Sequence, residues 1–177
     1  MNSPARSDGF TLIELMIAML ILSVGMLALA GLQVSALRST HDSYLRTQAG
    51  IAVMEMAERM RVNIVGVDAT NAYANVSSPP AGVAPASCLT ANCSAAAIAA
   101  EDIYEWLLSL QNSRDLLSAE GRVTCIDSNP SDIDPCTDGS LHVITVMWDG
   151  RRNGAAGVGC NPANPTDKIC YRVRIRP

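Results

Sequence analysis

The chain is 177 residues long with a net charge of −4, so no basic field argues for a nucleic-acid partner. Aromatic residues make up 4% of it, which leaves little material for stacking platforms. The six cysteines all lie beyond residue 87, an even number gathered in one part of the chain, which is the pattern of disulfides formed in an oxidising compartment.

Met1 to Gly9 read as a polar leader in which Asp8 partly cancels Arg6 and the initiator amine. The positive-inside bias would put this leader on the cytoplasmic side of a membrane. From Phe10 to Leu32 the chain is apolar, with one ionisable side chain, Glu14, and no proline. At ~1.5 Å rise per residue a helix of that length reaches roughly 35 Å, enough to cross a bilayer core with some tilt. A charged side chain in such a segment costs on the order of a few kcal/mol and normally has a partner.

Gly9-Phe10-Thr11-Leu12-Ile13-Glu14, with the polar leader before it and the apolar run after it, resembles a type IV prepilin. The resemblance implies that a prepilin peptidase cuts between Gly9 and Phe10 and methylates the new N-terminal Phe10. It also implies that Glu14 neutralises the N-terminal amine of a neighbouring subunit during assembly. In low dielectric that pairing would offset two desolvation costs at once. Ser7-Asp8 stand where leaders of the family often carry Lys or Arg, a departure from the pattern. Two plainer readings compete. The run could be a single-pass anchor with Glu14 at headgroup level, or a secretory signal ending at Ala28-Leu29-Ala30-Gly31. Against the signal, the run exceeds the usual ~7–15 residues. The small residues Ala18, Gly25, Ala28 and Gly31 suit close helix packing equally well.

After Leu32 the pattern turns amphipathic. Leu45, Ala49, Ala52, Met56 and Met60 hold 3- and 4-residue spacing on one face, while Arg46, Glu58 and Arg61 fall elsewhere. The spacing predicts one continuous helix from about Phe10 to Asn63, straighter because no proline occurs between Phe10 and Pro79. The strings Ser23–Gln33 and Met56-Ala57-Glu58-Arg59-Met60-Arg61-Val62-Asn63 resemble PilV-type minor pilins. The stripe methionines read as core, and His41 as an ordinary helix residue.

Residues 66–87 are rich in Ala, Asn, Ser, Pro and Gly and read as a surface excursion. Asn75-Val76-Ser77 fits an N-glycosylation triplet that is usually idle in bacteria. Ala95 to about Leu110 is predicted as a second helix, with Ser94 as its N-cap and Trp106 docking it. Strands are predicted over Gly121–Ile126, Leu141–Asp149 and Lys168–Arg176. In the last, Ile169, Tyr171, Val173 and Ile175 alternate with Cys170, Arg172, Arg174 and Arg176. The arginine comb marks the solvent face, or a site for an acidic partner subunit.

The cysteines fall in three close pairs, Cys88 and Cys93, Cys125 and Cys136, Cys160 and Cys170. Six cysteines allow fifteen connectivities, and spacing alone does not choose among them. Nearest-neighbour pairing would clip short segments, and a Cys160–Cys170 bridge would pin a loop outside the core. Zinc is disfavoured, since the spacings lack CxxC and only His142 is remotely near. Asp127, Asp132, Asp134 and Asp138 cluster around the middle pair without EF-hand spacing, and read as a solvated acidic loop. No hydrolase, phosphate-loop or metalloprotease motif is present. No catalytic residue, cofactor or metal is therefore expected.

These readings predict an α+β, type IV pilin-like lollipop, a long N-terminal helix packed on a small antiparallel sheet with a short second helix. The expected divisions are 1–9 leader, 10–32 membrane or filament-core half of the helix, 33–64 amphipathic half and 65–177 periplasmic head. The resemblance implies a minor pilin that helps initiate type IV pilus assembly from the bacterial inner membrane. Its partners would be the prepilin peptidase, other minor pilins, the major pilin and a tip adhesin, with inner-membrane lipid around the helix before assembly. A type II secretion pseudopilin and a membrane-tethered periplasmic binding domain are the alternatives.

Overall fold

A computed structural model describes residues 9–77, 84–88, 92–129, 131–134 and 136–177. Most of the leader and the Ser78-Pro79-Pro80-Ala81-Gly82 centre of the proposed excursion lie outside the described residues. The chain divides into two compact units between Asp42 and Ser43.

The first unit is helical. Helix α1 runs Leu12–Val62 and so continues into the second unit. Its start two residues later than predicted has a local cause. Thr11 precedes it, and the Glu14 N–H donates to Thr11 Oγ1 at 3.4 Å, while the Leu15 N–H donates to the Thr11 carbonyl. Every described residue of this unit is exposed, including Phe10, Leu20, Leu27 and Leu32. The Ser23 and Thr40 hydroxyls bond to carbonyls of the preceding turn, so the helix satisfies them internally.

In the second unit α1 turns Leu45, Ala49, Val53, Met56, Ala57 and Met60 into a core. The predicted stripe is there except that Val53 and Ala57 are buried and Ala52 only half-buried. The helix stops where Asn63 leaves helical geometry and its side chain accepts from the Gly66 N–H, opening the short α2, Ile64–Asp68. A Cβ at Gly66 would strike the Asn63 amide at 2.5 Å, so this stop needs glycine three residues on.

Helix α3 spans Ala95–Gln111, with Ser94 accepting from the Ala97 N–H as its N-cap. Trp106 is fully buried, and its indole N–H donates to the Ala52 carbonyl of α1 at 2.8 Å. Strands β1 (Val76–Ser77), β2 (Glu120–Ile126), β3 (Leu141–Trp148) and β4 (Ile169–Ile175) form one antiparallel sheet in that order. Strand β1 was not predicted. Two residues in a polar stretch carry no period, and their strand state comes from pairing with Val123 and Arg122.

Val123, Ile144, Val146, Trp148 and Ile175 join the α1 and α3 residues in one core cluster that also includes Tyr73. A long N-terminal helix and a small four-stranded antiparallel sheet are the elements of a type IV pilin-like α+β fold.

Candidate functional site

Gly9 and Phe10 stand ahead of α1, both exposed, Phe10 by 90%. A Cβ built on Gly9 would meet nothing within 4 Å, so no intramolecular packing calls for glycine there. One turn into α1, the exposed Glu14 has no ion-pair partner among the described residues. Thr11-Leu12-Ile13-Glu14 is also a capping-box string, a Thr N-cap with Glu three residues on. The Glu14 N–H donates to Thr11 Oγ1, and the residue stands in the first turn, at the positive end of the helix, where a carboxylate is favoured. Sequence reading passed over that signal because the apolar run dominated the stretch.

The span that follows has the character of a lipid- or helix-facing surface. Its most apolar window has mean hydropathy 2.5, none of it buried, and is long enough to cross a membrane. An added Cβ at Gly25 or Gly31 would meet nothing within 4 Å. These glycines thus leave a shallow surface free for a neighbouring helix.

In the second unit three disulfides join Cys88–Cys93, Cys125–Cys136 and Cys160–Cys170, with Cα–Cα separations of 5.6, 6.0 and 5.5 Å. His142, which sequence spacing placed only remotely near the cysteines, sits directly across from Cys125 in the β2–β3 register. Its Nε2 lies 3.5 Å from Cys136 Sγ, and its Nδ1 is buried without a hydrogen-bond partner. Burial depresses the His142 pKa, against the opposing pull of the Ser140 backbone and Asp68. The three ligand atoms lie within 4.8 Å of one another. A sulfur in a disulfide offers no thiolate, so in this bonded state the imidazole is the group's one strong metal ligand.

The acidic loop serves structure. Asp127 accepts from the Asn129 and Thr137 N–H groups, which hold its carboxyl below the usual range. Asp132 accepts from the Thr137 hydroxyl and the Asn129 amide, and Asp134 from Asn71. In the β3–β4 connection Asp149 and Asp167 work alike, accepting from Asn153 and Gly154 and from Asn161 and Asn164 respectively. Lys168, also buried, donates to the Ser118 carbonyl and to Glu120.

Residues 4–30 match the prokaryotic N-terminal methylation motif, and residues 31–104 match the family described as type IV pilin Tt1218. The chain is type IV prepilin-like. Its methylation motif implies processing by a prepilin peptidase and assembly with other pilins, and pilins are structural subunits, not enzymes. No curated protein and no solved structure matches this prepilin-like chain. The two matches together run from the leader through α1 and α2 into α3, and the β2–β4 sheet lies beyond them.

Proposed function

We propose that this prepilin-like protein is a minor pilin of the PilV type, which primes type IV pilus assembly at the inner membrane and enters the filament near its tip. One observation supports this reading above others. The exposed apolar part of α1, residues 12–32, opens two residues after the Gly9-Phe10 junction, and its first turn carries Glu14, which has no ion-pair partner among the described residues. Cleavage after Gly9 leaves a methylated Phe10 amine, a cation at the head of an apolar helix. Glu14 of one subunit then meets the amine of the next, and the pairing removes both charges from lipid together.

Before assembly the helix spans the inner membrane once, with the disulfide-bonded unit in the oxidising periplasm. In this role its partners are sister minor pilins, the major pilin and a tip adhesin.

Intact mass of the mature protein tests the processing half. The expected chain begins at Phe10 and carries one methyl group, whereas a chain beginning at Met1 or Gly31 would end the reading. Cross-linking mass spectrometry on sheared pili tests the assembly half. Links to other pilins at a level far below the major subunit support it, and recovery only with secretion-system components would turn the reading to a pseudopilin.

A further inference from the structure

Strand β4 closes one side of the sheet, and no strand lies beyond it among the described residues. In an antiparallel edge strand alternate N–H and C=O groups point away from the sheet, ready to pair with another extended chain.

Two further features lie along β4. On its inner face a cleft of ≈ 670 Å³ is lined by Arg46, Gly50, Ile51, Met54, Glu58 and Tyr171. Ile51 is 58% exposed and Met54 47%, both on a flank of α1, and the Tyr171 ring rests against Gly50. On its outer face Arg172 and Arg174 share a hollow of ≈ 580 Å³ with Arg122 of β2. Arg122 and Arg172 both flank Thr145 in the strand register. None of these three guanidiniums has a carboxylate at ion-pair distance among the described residues, although acidic residues outnumber basic ones by 17 to 13.

We propose that β4 accepts an extended segment of a partner protein, alternating apolar and acidic side chains, as a fifth strand. The period-2 geometry fixes this chemistry. A strand beside β4 puts every other side chain over Ile51 and Met54 and the remainder beside Arg172 and Arg174. Apolar residues fill the first set and carboxylates answer the second. Main-chain hydrogen bonds supply affinity and the two rows of side chains supply selectivity. A nucleic acid would engage the arginines but leave the apolar cleft and the edge amides unused. The inference does not depend on which filament the chain enters, since the binding surface lies wholly in residues 46–174.

The test uses the full chain in detergent micelles and a short dye-labelled peptide alternating valine and glutamate. Its comparators are the same peptide with lysine for glutamate, and one methylated on the amides of one edge. The glutamate peptide is expected to bind and to slow hydrogen exchange across Tyr171–Ile175. Arg172→Glu with Arg174→Glu, both on exposed side chains, should weaken it about tenfold, the effect of two surface ion pairs reversed. Edge methylation should weaken it by at least a similar factor through lost main-chain bonds. Failure of the glutamate peptide to bind, equal affinity for the lysine peptide, or unchanged exchange in β4 would each overturn the proposal. Capture of a short DNA duplex in place of the peptide would do so too.

Discussion

Arg59 of α1 donates to Asp102 of α3 across 2.9 Å, and the other Asp102 oxygen accepts from the buried Tyr73 hydroxyl at 2.6 Å. Asn63 completes the chain by donating to Tyr73 and to the Ala95 carbonyl at the start of α3. One carboxylate thus ties together the end of α1, the segment after α2 and the first turns of α3. Burial works against the Arg59 charge, but hydrogen bonds to Glu105, Asp102 and Glu55 outweigh it and raise its pKa. Burial and the bond to Asp102 likewise raise that of Tyr73.

Asp102→Ala should therefore destabilise the second unit by roughly 1–3 kcal/mol, leaving Tyr73 without its acceptor. Tyr73→Phe, which removes one bond and keeps the ring, should cost about 1 kcal/mol. Urea unfolding of the full chain in detergent, followed by tryptophan fluorescence, checks both. Equal effects of the two variants would show that the carboxylate contributes nothing beyond the phenol's partner.

Gly121 faces the Trp106 ring so closely that a Cβ would overlap it, with Leu110 Cδ1 at 2.8 Å on the same side. Gly121→Ala must push a fully buried indole, which also holds the Ala52 carbonyl. A loss of about 1–3 kcal/mol is expected from such overpacking. Thermal melts read it directly, and a melt unchanged from the parent would refute the contact.

His142 gives stability a pH dependence above the carboxylate range. Its folded pKa lies below its ordinary value of 6.5, so on acidification the unfolded chain takes up the proton first. The contribution is complete above that value and is lost as pH falls through the depressed folded pKa. Asp127 and Asp149, held low by backbone N–H groups, lose theirs only below the usual carboxylate range of 3.8. His142→Gln should flatten the stability profile just below 6.5 while leaving the acid limb in place, as denaturant midpoints across pH would record.

Substitutions can separate the proposed charge pairing of Glu14 from its place in the capping-box string at the start of α1. Glutamine serves a capping box as glutamate does, but cannot neutralise an amine. If charge pairing drives assembly, Glu14→Gln and Glu14→Ala should both be processed normally and both fail to enter pili. Thr11→Ala should remove a cap of about 1 kcal/mol and leave incorporation largely intact. Immunoblots of sheared pili against total membranes measure all three. Normal incorporation of the glutamine variant would limit Glu14 to the cap.

Much of this was legible from local pattern. Ser94 ahead of an apolar side at 3- and 4-residue spacing marked α3, and the β-branched run from Leu141 marked β3. The long helix followed from an uninterrupted apolar stretch passing into a stripe. What was not legible depends on partners far along the chain. The bonds from Asn63 to Tyr73 and Ala95 that hold the predicted helix end in place join distant parts of the chain, and β1 exists through its pairing with Val123. The nearness of His142 to Cys125 and Cys136 is a matter of strand register, which composition does not reveal. The exposed flank at Ile51 and Met54 was hidden too, since the predicted stripe described what the helix buries and not what it leaves uncovered beside β4.

The connectivity of the sulfurs bears on how such a chain is made. Each cysteine is joined to its neighbour in order, at sequence separations of 5, 11 and 10 residues. A polypeptide that keeps its leader inside and passes the rest of its chain across a membrane in sequence order delivers those partners moments apart, before the next pair has emerged. Under the export proposed above, an oxidant on the far side would close each loop on first encounter, and correct pairing would need no reshuffling step once the last residue had crossed.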